Sequence, residues 1–67
     1  MTVARVTEIT AQSNKGFEDA IEVGIARACK TLQNVRGAWV KEQKVVVEND
    51  RISAYRVTMR VTFVLND

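Results

Sequence analysis

The chain has 67 residues, 46% of them hydrophobic and 27% charged, with one cysteine and neither histidine nor proline. A chain this short buries only about 60% of its unfolded surface on folding, and Cys29 alone cannot close an intrachain disulfide, so self-association is the first expectation. The lack of histidine excludes Cys/His and Ser/His/Asp nucleophilic sites and zinc-finger spacings, and a net charge of +2 is too weak for a dedicated nucleic-acid binder.

Residues 3 to 11 are rich in β-branched types and run into the polar turn Gln12-Ser13-Asn14-Lys15-Gly16, which reads as a strand followed by a loop. From Phe17 the period changes. Phe17, Ala20, Ile21, Gly24, Ile25, Ala28, Leu32 and Val35 recur at spacings of three and four, which predicts an amphipathic helix to about Gln33. Glu18 and Asp19 in its first turn and Lys30 near its end suit the helix dipole. Gly24 costs about 1 kcal/mol against alanine, so a close neighbour is expected there.

Residues 38 to 48 and 51 to 65 read as a long hairpin turning at Asn49-Asp50. In the second arm Tyr55, Val57, Met59, Val61, Phe63 and Leu65 share one face, and Arg56, Thr58, Arg60 and Thr62 the other. In the first arm Ala38, Val40 and Val46 share one parity, and Gly37, Trp39, Lys41, Gln43, Val45 and Val47 the opposite one. With Ala38 and Val40 packed on the helix, Trp39 points away from it. Glu42 and Lys44 share the parity of Ala38 and Val40, which requires either a bulge or a strand that outruns the helix.

The expected fold class is therefore α+β: a β-α-β-β subunit with a three-stranded antiparallel sheet covered on one face by a helix, the chain 1-67 forming one domain. The uncovered face is expected to carry Trp39, Lys41, Gln43, Arg56, Thr58, Arg60, Val45 and Val47. That is more apolar surface than a solvated face needs, and it marks an interface or a ligand site. No segment approaches the ~18 apolar residues of a membrane span, and Met1 leads directly into strand-like sequence without a signal-peptide core. A cytoplasmic location with no membrane partner is expected.

Several groups carry chemistry in principle. Glu18, Asp19 and Glu22 read as a solvated helix face, with calcium ligation as the alternative. Cys29 reads as a small buried hydrophobe, with a reactive thiol near Arg27 and Lys30 as the alternative. Glu8, Glu42, Glu48 and Asp50 read equally as arginine partners or as metal ligands at subunit contacts. Gly16, Gly24 and Gly37 lie too far apart for a phosphate loop, and no residue set resembles an active site. Trp39 with Arg56 is the candidate ligand site, an indole to stack a planar ring and a guanidinium for an anionic substituent; an oligomer contact is the competing reading, and the two are compatible.

Four blocks in register resemble the dodecin family over nearly the whole chain. They are Val3-x-Arg5-Val6-x-Glu8-Ile9-x-Ala11-x-Ser13-x-x-Gly16-Phe17-Glu18-Asp19-Ala20, Ala28-x-Lys30-Thr31-Leu32-x-Asn34-Val35-Arg36, Val40-x-Glu42-Gln43, and Ala54-Tyr55-x-Val57-x-x-x-Val61-x-Phe63-x-Leu65. The resemblance implies a sheet that wraps the helix, a hollow homododecamer, and storage or buffering of a flavin such as riboflavin or FMN, not catalysis. It also implies two departures. The flavin-stacking tryptophan of the family aligns with Gly37, and the glutamine that hydrogen-bonds the isoalloxazine edge aligns with Arg56. Both features resemble a dodecin subgroup linked to ions such as calcium.

The leading expectation is thus a dodecin-like homododecamer that binds and buffers a small ligand, with the flavin site altered at Gly37 and Arg56. The runner-up is a flavin-storing dodecin that stacks its ligand on Trp39, two residues along the same strand face. A single-stranded nucleic-acid-binding sheet using Trp39, Lys41, Arg56 and Arg60 ranks last, because that face has one aromatic and little net charge.

Overall fold

The computed structural model describes residues 2–65. Strand β1 spans Ala4–Ser13, helix α1 Phe17–Thr31, strand β2 Val35–Glu48 and strand β3 Arg51–Val64. The sheet order is β1-β3-β2, with both pairings antiparallel. The expected β-α-β-β order is the one observed. The boundaries differ: β1 runs from Ala4 on to Ser13, the helix ends two residues early, β2 begins at Val35, and β3 stops at Val64.

Asn49 and Asp50 form the hairpin turn with φ of 53° and 63°, between the paired residues Glu48 and Arg51. Positive φ at both central residues lets a two-residue loop follow the right-handed twist of its strands, and Asn and Asp tolerate it better than branched residues. Asn34 has the same left-handed conformation, φ 62°, where the chain leaves the helix. Its carbonyl accepts from the Val64 N–H at 3.0 Å, tying the start of β2 to the end of β3.

Central strand β3 supplies the core. Val57, Met59 and Val61 are fully buried, because they have a strand on each side and the helix above them. The helix presents Ala20, Gly24 and Ala28 to the sheet, all buried. This i, i+4 stripe of small residues lets the helix axis come close to β1 and β3. At the near end Phe17 meets Tyr55 edge to face, with ring centroids 5.2 Å apart.

The entry angle of the helix is set by Ser13. Its hydroxyl donates to Asp19 Oδ2 at 2.5 Å and accepts from the Lys15 N–H at 2.9 Å. No side chain caps the helix itself, so this bridge from strand end to first turn takes over the cap's anchoring role.

The helix lies over β1 and β3 and touches β2 least. Ala38 and Val40 pair with Val61 and Met59 and so share the helix side of the sheet, yet both are exposed. The expectation that they pack on the helix is corrected. An open apolar groove of about 380 Å³ separates them from Ile21, Ile25 and Cys29. Cys29 is exposed on that groove, which also corrects its reading as a buried hydrophobe: the helix turns its small-residue stripe, not this flank, to the sheet.

Candidate functional site

The register builds the uncovered face row by row. From the helix-start end the rows are Gln12, Arg56 and Lys44; then Thr10, Thr58 and Glu42; then Glu8, Arg60 and Trp39; then Val6, Thr62 and Gly37. Cross-strand partners project to the same face, so these twelve residues share it.

A register shift between Val40 and Glu42 leaves Lys41 as an extra residue in β2. The bulge resolves the parity conflict read from the sequence, and it changes the membership of the face. Gln43 and Val45 now oppose Val57 and Tyr55, so they turn to the helix side and Glu42 and Lys44 take their place. Their assignment to the uncovered face is corrected by that one inserted residue. Val47 lies beyond a further irregularity, opposite Ile52, and both are exposed.

Lys41 keeps its place on the face. Its Nζ reaches across β3 to Glu8 Oε1 at 3.3 Å, and Arg60 Nε reaches the same oxygen at 3.3 Å. The hydrogen bond and charge of Lys41, and then those of Arg60, hold the Glu8 carboxyl below its ordinary range. Glu8 is therefore a cation partner within the chain. Among the described residues, no three Asp, Glu or Cys side chains converge on one metal-sized point, and Asp19 is already engaged by Ser13.

Arg56 is differently placed. Its Nε and Nη2 both donate to Gln12 Oε1, at 3.0 and 2.7 Å, and it has no carboxylate partner among the described residues. Between the two cationic rows the Thr10 and Thr58 hydroxyls share a hydrogen bond of 3.3 Å.

Trp39 is 49% exposed and pairs with Arg60, four residues from Arg56 along β3. At about 3.3 Å per residue the Trp39 and Arg56 rows are some 13 Å apart, and those of Gly37 and Arg56 some 20 Å. One chain therefore does not gather Gly37, Trp39 and Arg56 around one small ligand. A Cβ at Gly37 would have no atom within 4 Å, so the space there is open.

Gln12 is the site residue missing from the sequence-based set, where it falls in the turn. Its signal was present in the alternation Glu8, Thr10, Gln12, which continues the outward parity of β1 one step further.

The chain matches the family model described as Dodecin over residues 3–66. It is 32% identical over 65 residues to the dodecin of Thermus thermophilus, covering 97% of this chain and 94% of that protein. Among solved structures, the dodecin from Streptomyces davaonensis superposes with a TM-score of 0.94 at 36% identity, covering 98% of this chain and 97% of the other. A protein from Mycobacterium tuberculosis described as a calcium-chelating antigen, calcium dodecin, superposes with a TM-score of 0.84 at 28% identity, covering 96% and 91%.

Proposed function

The chain belongs to the dodecin family, and on that premise we propose that it is a cytoplasmic homododecamer that binds and stores a small ligand without catalysing its conversion. Its binding face has moved away from ordinary flavin stacking. The observation that carries this reading is the pair of departures at Gly37 and Arg56, each now seen in its surroundings. Gly37 has no side chain and no neighbour that replaces one. A stacked base or ring contact is worth about 1–3 kcal/mol, and glycine forfeits it. Arg56 offers only N–H donors, whereas the uracil-like edge of a flavin presents donors and acceptors together. The residues present therefore do not fit a flavin held in the family's manner.

The same geometry supports assembly. Gly37, Trp39 and Arg56 are spread along about 20 Å of one sheet face, so a small ligand that uses more than one of them has to lie where several copies meet. The exposed indole of Trp39 and the open apolar groove beside β2 give a lone subunit more bare apolar surface than a chain this short carries comfortably.

Trp39 favours a second reading, a riboflavin or FMN store in which this indole replaces the missing stack. The likeness to the calcium dodecin supports calcium as a further ligand class. A nucleic-acid-binding sheet ranks below both, because Glu8 already pairs with both Lys41 and Arg60 and the face has one aromatic.

Light scattering of the purified protein, followed by titration with riboflavin and FMN in metal-free buffer, tests the reading. The expected result is a dodecamer with little saturable quenching of flavin fluorescence. A monomer at micromolar concentration overturns the assembly, and strong quenching that Trp39→Ala abolishes establishes the second reading.

A further inference from the structure

Resting on the storage reading, we propose that Gln12 and Arg56 together form an oxyanion-binding site on the uncovered sheet face, and that the ligand class of this face is one bearing a phosphate or carboxylate group. The two residues are direct partners across β1 and β3. Both Arg56 bonds end on the amide oxygen of Gln12. Arginine has no acceptor to offer, so the amide is oriented with its oxygen toward the guanidinium and its NH2 away from it.

That orientation fixes what the pair presents. A guanidinium has five N–H donors. Two are spent on Gln12, which leaves three on the outer edge of Arg56, beside the two amide hydrogens of Gln12. Every outward hydrogen-bonding group of the pair is then a donor, and one partner carries a full positive charge. Glutamine holding the Nε side also removes much of the rotational freedom of the arginine, so less entropy is lost when its remaining edge meets a ligand.

The contrast with Arg60 locates the site. Arg60 stands on the same strand and the same face, but Glu8 accepts from it and Lys41 shares that carboxylate. Arg56 has an amide where Arg60 has a carboxylate, so its charge is oriented without being neutralised. A fork of charge-assisted donors of this kind suits an oxyanion, which accepts in two or more directions, better than a neutral ring edge.

Isothermal titration of the assembled protein with inorganic phosphate, and separately with acetate, at constant ionic strength tests the proposal and distinguishes the two headgroups. Saturable heat with one or both is expected, with affinity falling at least tenfold in Arg56→Gln and in Gln12→Glu, whose carboxylate would neutralise the arginine. Arg56→Lys should lose most of the affinity as well, since a point charge cannot offer the fork. Absence of saturable heat, or affinity unchanged in Arg56→Gln, overturns the site, including the case in which a carboxylate from a neighbouring copy fills it. Light scattering on the same samples separates this failure from that of the storage reading: a dodecamer that ignores both anions loses only the site, whereas a protein that fails to assemble loses both.

Discussion

Gly24 of the helix rests directly on Met59 of the central strand: a Cβ built on the glycine lies 2.7 Å from Met59 Cε and 2.9 Å from Ala11 Cβ. The methionine end is flexible and can swing aside. Ala11 Cβ is bonded to the strand backbone and cannot. Gly24→Ala therefore gains about 1 kcal/mol of helix propensity but overpacks the core by about 1–3 kcal/mol. A net loss of up to about 2 kcal/mol is expected, read as a fall in melting temperature. Adding Ala11→Gly should recover part of it by removing the less yielding neighbour. A Gly24→Ala variant that melts higher than the natural chain would show that the helix lifts off the sheet at little cost.

The close approach at Gly24 was legible in the sequence because glycine inside a strong helical stripe is locally unfavourable, so its presence signals a packing demand. The alternation of β3 was equally legible, since that strand is central and Val57, Met59 and Val61 on one of its faces are buried. Strand β2 was not. It lies at the sheet edge with little helix above it, so burial imposes no consistent pattern on it, and one bulge at Lys41 reverses the parity from Glu42 to Val46. The conflict at Glu42 and Lys44 announced a break without locating it. Gln12 was not legible for a related reason: polar residues before a glycine resemble a turn, and its partner Arg56 is 44 residues away in the chain.

Ser13 offers a second test of how the helix is held. Its hydroxyl is buried, donates to the Asp19 carboxylate and accepts from the Lys15 N–H. Ser13→Ala leaves both groups without that partner and should cost about 1–2 kcal/mol. Asp19→Asn keeps an acceptor for the hydroxyl but loses the charge, so its loss should be smaller. Chemical denaturation of the three proteins orders them, and equal stability of Ser13→Ala and the natural chain would show that water replaces the hydroxyl at no cost.

Glu8 carries the pH dependence of the face. Lys41 foremost, and Arg60 with it, depress its folded-state pKa. The folded chain thus favours the carboxylate, and the stability this contributes is present above the unfolded pKa and is lost as pH falls through the folded one. Glu8 is largely solvated, so the effect is small and screened by salt. The melting temperatures of the natural chain and Glu8→Gln should differ at neutral pH and low salt, then converge both in acid and at about 1 M salt, where the Debye length is about 3 Å. A gap that persists in acid would assign the difference to the amide, not to the charge.

Gly37 gives the sharpest test of why the flavin site reads as altered. A Cβ there meets nothing within 4 Å, its φ is not positive, and the strand backbone accepts an aromatic residue without strain. Gly37→Trp should therefore fold as well as the natural chain. If the missing indole is what weakens flavin stacking, the variant gains about 1–3 kcal/mol per stacked face, roughly a 5- to 150-fold rise in riboflavin affinity. Arg56→Gln added to it should raise affinity again, because glutamine restores an acceptor beside its donor at the ring edge. Trp39→Ala in the natural chain should leave flavin binding as weak as before. Quenching titrations of the four proteins decide between the readings: a gain at Gly37→Trp with no loss at Trp39→Ala supports an altered face, whereas tight binding in the natural chain that Trp39→Ala removes would move the stacking role to Trp39.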